Sequence, residues 1–264
     1  MRIDSAKSSQ VKQVSALQKK ARYRREQGAF VVEGIKMVRE APRDRLLSVY
    51  ASDSFLEQGG EERLGGIPFT PVSDHALRAM ADTQTPQGVL AVVRAMDWKE
   101  EDFRRKEPAL LLFLEGIQDP GNLGTMFRAG EGAGVTGILM SRDTVDVYNP
   151  KVIRSTMGSI YRMPFAVCGD LTEVLGKCHK VGIASYGAHL GGAGNYEMAD
   201  YERPSAFLIG NEAAGLSEKL SAAADFLIKI PMEGQVESLN AAVAASVLLY
   251  EAARQRRCGR GENG

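Results

Sequence analysis

From Ala109 onwards, the sequence alternates short apolar stretches with stretches of helical periodicity. Each apolar stretch has the length of a β-strand, and the helical stretches between them are long enough to cross from one strand to the next. This alternation is typical of a parallel sheet covered by helices on both faces. The apolar stretches are ALLLFLEG, TGILMS, MPFAVCG, GIASYG, SAFLIG and DFLIKIP. We therefore predict an α/β domain with a parallel sheet over residues 109–264.

The first 96 residues have a different pattern and predict a small N-terminal α/β domain. AFVVEG, LLSVYAS and PQGVLAVVRAM are predicted strands, and IKMVREA and PVSDHALRAMA are predicted helices. Residues 5–27 are predicted as a single basic amphipathic helix. Residues 97–108 are charged and end at a proline, which indicates a linker between the two domains.

Composition excludes several classes of protein. The longest strongly apolar run, Ala109–Leu114, is far too short to span a bilayer, and the polar N-terminus has no signal-peptide core. The three cysteines are an odd number without the spacing of a metal site. We therefore expect free thiols in a reducing cytoplasm, no membrane segment and no structural metal.

The net charge is zero, but the basic residues are unevenly placed. Residues 1–45 contain twelve Lys or Arg against five Asp or Glu, and the end of the chain, RQRRCGRGENG, is also basic. Two solvated, fraying ends would explain this pattern, and so would a surface that attracts the phosphates of RNA. The candidate RNA-binding residues are Lys12, Lys19, Lys20, Arg22, Arg24 and Arg25.

Three loops concentrate polar residues and glycines where a predicted strand ends. They are LEGIQDPGNLGTMFRAGEGAG, FLIGNEAAGLS and IPMEGQVESLN. In an open parallel sheet the carboxyl ends of the strands lie at one edge, where ligands bind. We therefore expect these loops to form one cleft, although they are distant in sequence. The side chains expected to converge there are Asn122, Arg128, Glu212, Ser238 and Asn240.

Each of these residues also has a purely structural explanation. Asn122, Ser217 and Ser238 are suitable helix N-caps, and Arg128 flanks an apolar helical stripe as a solvated residue would. Glu212 would serve equally as a carboxylate at a helix start or as a site residue that orders the loop through backbone amides or holds Arg128 in place. These alternatives remain open at the level of the sequence.

The residue types in the three loops narrow the chemistry. The loops contain no His, Cys or Lys, so they supply neither a nucleophilic triad nor a metal site. No GxxxxGK[ST] loop occurs, and the glycines after the first strong strand do not follow GxGxxG. What remains is a neutral, backbone-rich pocket that suits a cofactor already activated for transfer. Methyl transfer from a sulfonium fits, because such an enzyme mainly aligns the nucleophile with the methyl group.

The three loops resemble the motifs of the SpoU family of RNA 2'-O-ribose methyltransferases, part of the SPOUT class. DPGNLGTMFRAGEGAGV is similar to the first motif, FLIGNEAAGLS to the second and IPMEGQVESLNAAVAASVLLYE to the third. FVVEG and TPQGVLAVV in the front part resemble the family's ribosomal-protein-like substrate-binding domain. The one departure is Asp119, where many members carry Asn.

The resemblance implies a trefoil-knotted methyltransferase domain that binds S-adenosyl-L-methionine (AdoMet) and acts on RNA. It implies that Gly210, Ile230, Met232 and Leu239 surround the cofactor. It also implies that Asn122, Arg128, Glu212, Ser238 and Asn240 form the catalytic and RNA-binding site. It further implies a homodimer with the last helix in the interface, which would explain why that helix is apolar nearly all round.

Two other functions were weighed against this one. An RNA-binding protein that has lost the chemistry would keep the scaffold but would not need AdoMet. A nicotinamide-dependent oxidoreductase would need the glycine fingerprint that this sequence lacks. The separate front domain favours ribosomal RNA over transfer RNA by analogy.

Overall fold

A computed structural model describes residues 2–103 and 107–259. The strands are β1 (Ala29–Glu33), β2 (Leu46–Ser52), β3 (Thr70–Val72), β4 (Val89–Arg94), β5 (Leu110–Leu114), β6 (Gly137–Ser141), β7 (Phe165–Cys168), β8 (Ala184–Ala188), β9 (Gly194–Asn195), β10 (Ser205–Ile209) and β11 (Phe226–Lys229). The α-helices are α1 (Ser9–Lys19), α2 (Ala21–Gln27), α3 (Ile35–Glu40), α4 (Asp53–Glu57), α5 (Gly60–Leu64), α6 (Asp74–Met80), α7 (Glu100–Phe103), α8 (Pro120–Ala133), α9 (Pro150–Thr156), α10 (Leu171–His179), α11 (Glu218–Ala223) and α12 (Ala241–Gly259).

These elements form two compact units. The first, here called the N-terminal unit, contains the chain up to Asp97 together with Asp146–Tyr161. The second, the C-terminal unit, contains Trp98–Val145 and the chain from Arg162 onwards. The segment Asp146–Tyr161 differs from the predicted division, which assigns it to the domain beginning at 109. Its side chains explain the difference, because Tyr161 donates a hydrogen bond to the Met37 carbonyl and Tyr148 stacks on Phe30.

The N-terminal unit is built on a four-stranded mixed sheet in the order β1-β4-β2-β3. β4 is antiparallel to both β1 and β2, and β3 is parallel to β2. α1 and α6 pack together on this sheet through Val11, Val14 and Leu77, which are almost fully buried. Because of these strand directions, the carboxyl ends of β1, β2 and β3 and the amino end of β4 lie along one edge of the sheet.

The C-terminal unit contains a seven-stranded parallel sheet in the order β7-β6-β5-β10-β8-β11-β9. The central strand β5, LLLFL, is buried at every position, as expected for a strand covered on both faces. α12 packs against α8 and β10. The predicted α/β class, with a parallel sheet and a small N-terminal α/β unit, is confirmed. No helix among the described residues is long and apolar enough to cross a bilayer.

One local prediction is wrong. Residues 5–27 do not form one helix, because Lys20 adopts an extended conformation (φ −122°, ψ 107°) that separates α1 from α2. The predicted linker contains the short helix α7, and Phe103 at its end is almost fully buried. Residues 104–106 of that linker and the basic residues at 260–264 lie outside the described part of the chain.

Candidate functional site

Glu212 links two of the three loops. Its carboxylate accepts hydrogen bonds from the backbone N–H groups of Gln118 and Asp119, each at 3.1 Å. It also accepts one at 3.0 Å from the side-chain amide of Asn122. The loop after β10 is thereby held against the start of α8, and the predicted role of Glu212 as an acceptor for backbone amides is what the structure shows.

Asn122 and Asn240 extend this connection to the third loop. The Asn240 side-chain N–H donates to the Asn122 oxygen at 3.0 Å, while the Asn240 oxygen accepts from the backbone N–H of Ala242 at 2.9 Å. The carboxylate only accepts, so the Asn122 amide nitrogen must face Glu212 and its oxygen must face Asn240. We call Glu212, Asn122 and Asn240 the loop network. Its hydrogen bonds have one fixed direction: donation starts at the backbone N–H of Ala242 in the first turn of α12 and ends at the Glu212 carboxylate.

The loop network shifts the titration of Glu212. Partial burial raises the pKa of this carboxyl group, but hydrogen bonds from the Asn122 amide and from backbone N–H groups, including those of Gln118 and Asp119, lower it. The net effect is a pKa below the ordinary value. Glu212 is therefore held as a carboxylate, and this is the form that the fixed direction of the network requires.

The helix caps of the site are not all where the sequence places them. Ser217 caps α11 by accepting from the Leu220 N–H, as predicted. Asp119, rather than Asn122, caps α8, and its Oδ1 accepts from the Asn122 backbone N–H at 2.8 Å. Asn240, rather than Ser238, caps α12. Since Asp and Asn cap helices equally well, the departure at Asp119 preserves the cap.

Two further residues that the sequence analysis did not identify hold the same edge together. Glu115 accepts hydrogen bonds at 2.8 Å from both the backbone N–H and the hydroxyl of Ser217. Asn211 donates from its side chain to the Gly116 carbonyl at 2.7 Å. Glu115 directly follows the buried strand β5, and Asn211 is the second residue after the buried strand β10; this position was the only sequence signal available for them.

A cleft of about 740 Å³ lies beside the loop network within the C-terminal unit. All four predicted cofactor-binding residues line it: Gly210, Ile230, Met232 and Leu239. Glu212 and Ser238 also line it, whereas Asn122, Arg128 and Asn240 do not. The end of β8 and the segment that leads into β9 contribute Ala188, His189, Leu190 and Asn195. The volume lies within the range typical of small-molecule and cofactor sites.

Glycine is required at Gly210 for the shape of this cleft. A Cβ atom there would lie 2.0 Å from the carbonyl carbon of Gly215, which is far inside van der Waals contact. The two strands of the loop exchange backbone hydrogen bonds between Asn211 and Gly215, and Gly215 has a φ of +70°. The loop therefore folds back tightly on itself, and its backbone, rather than a side chain, forms the wall of the cleft.

The cleft fits AdoMet in size and in the character of its lining. Aliphatic side chains such as Ile209, Ile230 and Leu248 line it together with loop backbone, which suits an adenine ring and a ribose. Gly210, where a side chain would collide with the Gly215 backbone, also lines it. A carboxylate of the loop network, Glu212, borders the same space.

Arg128 lies on α8 but does not join the loop network. Its side chain is exposed and has no hydrogen bond or ion pair to another described residue. Six residues along a helix correspond to a rotation of about 240°, so Arg128 and Asn122 project from different sides of α8. The alternative in which Glu212 holds Arg128 is not what the structure shows. Arg128 is a free cation close in sequence to an ordered site.

The six predicted RNA-binding residues fall into two groups. Lys12, Lys19, Lys20, Arg22 and Arg25 are exposed. Lys12, Lys19 and Lys20 line a surface groove of about 460 Å³, here called the basic groove. Arg22 pairs with Glu26 on the same helix.

Arg24 departs from the prediction, because it is only 5% exposed and already has partners. It pairs with Asp146 at 2.5 Å and donates to the carbonyls of Leu17 and Gln18 at the end of α1. This arrangement explains the break at Lys20, since Arg24 on α2 satisfies carbonyls that a continuous helix would have bonded internally. Arg24 therefore stabilises the fold and is not available on the surface for phosphates.

Comparison with known proteins places these features in a family. Residues 109–250 match the model of the SpoU rRNA Methylase family, and residues 8–91 match the MRM3-like substrate binding domain. The 23S rRNA (guanosine(2553)-2'-O)-methyltransferase RlmP of Bacillus subtilis is 32% identical over 94% of this chain and 97% of its own length. The 23S rRNA (guanosine-2'-O-)-methyltransferase RlmB of Xylella fastidiosa (strain Temecula1) is 34% identical over 86% of this chain and 94% of its own.

Solved structures agree with this placement. The SpoU methyltransferase AviRb from Streptomyces viridochromogenes in complex with AdoMet has a TM-score of 0.86 and 28% identity, covering 95% of this chain and 98% of that chain. The AdoMet-bound rRNA methyltransferase from Sinorhizobium meliloti has a TM-score of 0.84 and 30% identity, covering 96% and 97%. The likeness extends over both units rather than over the methyltransferase part alone.

Proposed function

The chain belongs to the SpoU rRNA methylase family, and from this membership we propose that it transfers a methyl group from AdoMet to a ribose 2'-hydroxyl of ribosomal RNA. The observation that carries the proposal is the position of the loop network beside the large cleft. The network joins three loops that are distant in sequence, and all four predicted cofactor residues line the cleft.

AdoMet would be held by the backbone around Gly210 and by Ile230, Met232 and Leu239. When bound, it supplies a methyl group already activated by the sulfonium charge. The protein therefore has to exclude water and align the ribose oxygen with that methyl group, and alignment of this kind lowers a reaction barrier substantially. The fixed hydrogen bonds of the loop network supply this rigidity, because Glu212, Asn122 and Asn240 hold all three loops in one geometry.

We assign Arg128 to binding the RNA rather than to removing the proton of the ribose 2'-hydroxyl. A guanidinium is effectively always protonated, so it donates hydrogen bonds and has no free lone pair to accept a proton. Because Arg128 has no partner among the described residues, its planar fork is available to grip a phosphate and to orient the 2'-hydroxyl. Ser238, which lines the cleft and makes no hydrogen bond to another described residue, is assigned to positioning the ribose.

The basic groove is assigned to the RNA backbone. Lys12, Lys19 and Lys20 are exposed along α1, and Arg22 and Arg25 continue the basic surface on α2. Such contacts give affinity without reading sequence, and they weaken as salt increases. The N-terminal unit would thus recruit the substrate by charge.

A homodimer through α12 is also proposed. This helix buries one side against α8 and β10, yet Val243 is 47% and Tyr250 is 50% exposed on another side. A second copy covering these side chains would bury the apolar surface that the sequence led us to expect. Light scattering would give twice the mass of the chain, and Val243→Glu would return it to a monomer. A cytoplasmic location follows from the proposed substrate.

The central test is methyl transfer. Purified protein is mixed with AdoMet and ribosomal RNA from cells lacking the gene, and the RNA is then analysed by mass spectrometry for a 2'-O-methylated nucleotide. The same nucleotide should be unmodified in the deletion strain and modified in the parent. A catalytically inactive RNA-binding protein would bind RNA without binding AdoMet in calorimetry, and that result would replace this proposal with the alternative.

A further inference from the structure

At one edge of the sheet in the N-terminal unit lies a polar loop, residues 82–88, that is held at both ends. The proposed function does not use this loop. β1 ends at Glu33, and the loop 82–88 leads from α6 into β4 beside it. The loop is fixed at its beginning by an ion pair between Asp82 and Arg154 at 2.8 Å. At its end the Gly88 carbonyl accepts from the Ser52 backbone N–H at 2.8 Å. Between these two anchors, Gln84, Thr85 and Gln87 are exposed.

Among the described residues, only one of the two carboxylate oxygens of Glu33 has a hydrogen-bond partner. Its Oε1 accepts a hydrogen bond from the Thr83 hydroxyl at 2.5 Å. Its Oε2 is buried and has no hydrogen-bond partner among the described residues. A buried carboxylate oxygen without a donor is costly, so this oxygen favours a ligand that brings an N–H or O–H donor to it.

Gln87 lies directly over the end of β1. A Cβ atom at Gly34 would lie 2.4 Å from the Gln87 Oε1, and Gly34 has a φ of +92°. Glycine at position 34 therefore leaves room for the Gln87 amide beside the end of β1. Gln87 is exposed, so its side chain can turn towards a base at this edge.

A carboxylate only accepts hydrogen bonds, so Glu33 suits the part of a nucleotide that donates them. A carboxylate repels phosphate, so this edge does not repeat the role of the basic groove. The Watson–Crick edge of guanine presents two adjacent N–H donors, at N1 and N2, which match the two oxygens of a carboxylate. Uracil presents one N–H between two carbonyls that a carboxylate repels. Proteins read unpaired RNA bases through such edges.

We propose that Glu33 and Gln87 form a base-reading site in the N-terminal unit that recognises an unpaired guanine of the RNA substrate. The site rests on the proposed RNA substrate and adds sequence preference to the binding that the basic groove supplies. Glu33 accepts the two guanine N–H groups, and the Gln87 amide contacts the remaining polar edge of the base. The recognised guanine is a binding determinant, whichever ribose is methylated.

The test uses the full-length protein and a hairpin RNA whose loop is all uridine except for one position. That position is G, A, C or inosine, and binding is followed by fluorescence anisotropy. Guanine should be preferred over the other bases by roughly ten- to a hundredfold, the discrimination of a good bidentate pair. Inosine, which lacks the N2 amine, should lose part of that preference. Glu33→Gln should remove it, because an amide has only one acceptor oxygen.

Matched variants separate this site from general effects. Glu61→Gln removes one exposed carboxylate from the same unit and should leave the preference for guanine intact. Gln87→Ala changes only an exposed side chain, so it should fold normally and weaken the preference. AdoMet binding should be unchanged in all three variants, and the thermal midpoint should be unchanged in Glu61→Gln and Gln87→Ala.

The outcomes distinguish this inference from the proposed function. Methylation of ribosomal RNA by a wild-type protein that binds all four hairpins equally would overturn the guanine site and leave the function intact. Equal loss of binding to every hairpin in Glu33→Gln would also overturn it, since that pattern indicates a structural role. If the protein neither binds RNA nor methylates it, both ideas fail.

Discussion

The polar residues at the edge of the C-terminal sheet and the basic residues of α1 and α2 were predicted by similar arguments, but their environments differ. Glu212, Asn122 and Asn240 are bonded mainly to one another and to backbone. Lys12, Lys19 and Lys20 are exposed side chains lining an open groove. The first region is a preorganised frame, and the second is a set of solvent-exposed charges. Changes in the frame should therefore affect folding and catalysis together, whereas changes in the charges should affect only RNA affinity.

The largest effect is expected for Glu212→Gln. The carboxylate accepts three N–H groups, and a glutamine amide would direct its own N–H groups at one or more of them. Misaligned loops of this kind should reduce methyl transfer by at least about a hundredfold. Urea unfolding should show a loss of roughly 2 kcal/mol, because hydrogen bonds to a charged acceptor are lost.

Glu218→Gln is the matched control for that change, because Glu218 is exposed on α11 and lies outside the network. It should retain activity and lose only a small helix-dipole contribution. Normal activity in Glu212→Gln would show that the network does not set the catalytic geometry.

A large effect confined to activity is expected for Arg128→Ala. Since Arg128 has no partner among the described residues, the free energy of unfolding should change by less than about 0.5 kcal/mol. Methyl transfer should still fall by about a hundredfold, because the group that orients the ribose is lost. Arg128→Lys keeps the charge without the planar fork. If Arg128→Lys methylates RNA at a near-normal rate, a point charge is sufficient and the fork has no role.

Arg24 is the buried exception among the predicted RNA-binding residues, so its substitution should lower stability rather than RNA affinity. Arg24→Met breaks the pair with Asp146 and frees two carbonyls of α1, so the free energy of unfolding should fall by about 2 to 3 kcal/mol. The salt dependence of RNA binding should not change. Arg22→Met on the same helix loses only an exposed pair with Glu26, worth about 0.5 kcal/mol or less. Equal stability of the two variants would mean that burial of Arg24 contributes nothing to the fold.

Lys19→Gln should have a smaller effect, and one that depends on salt. Loss of one phosphate contact lowers the slope of log affinity against log salt by about one unit and weakens RNA binding several-fold at low salt. AdoMet affinity should be unaffected. Lys180→Gln, which removes an exposed lysine from the C-terminal unit, is the control and should leave the slope unchanged. An unchanged slope in Lys19→Gln would remove Lys19 from the RNA-binding surface.

The same contrast explains which features were predictable from sequence. The alternation of apolar strands and helices was sufficient for the parallel sheet, because burial on both faces leaves a strong signal. The convergence of Glu212 and Asn122 followed from their positions after parallel strands. The direction of the hydrogen bonds between them did not, since it depends on the exact geometry of three loops. The trefoil knot, which no periodicity encodes, stays a prediction from the family resemblance.

The burial of Arg24 was not predictable for a different physical reason. Its partner, Asp146, is 122 residues away and follows β6 of the other predicted domain. From the sequence alone, every residue in a run of basic residues is expected to be exposed. Only the fold shows that Asp146 lies beside Arg24. Helix periodicity likewise gave no indication of the break at Lys20, because the carbonyls left free there are satisfied by the Arg24 side chain rather than by the backbone of a continuous helix.

The smallest predicted effect is on the pH dependence of the unfolding free energy. It again distinguishes the loop network from the basic residues of α1 and α2. The pKa of Glu212 is lowered by its hydrogen bonds, so ionised Glu212 contributes stability above its unfolded pKa. That contribution is lost as the pH falls through the lowered pKa of the folded state. The difference in unfolding free energy between wild type and Glu212→Gln should therefore be constant near neutrality and should narrow in acid. The difference between wild type and Lys19→Gln should stay near zero over the same range. A Glu212→Gln difference that persists at acid pH would show that the side-chain shape, rather than the charge of the carboxylate, holds the three loops together.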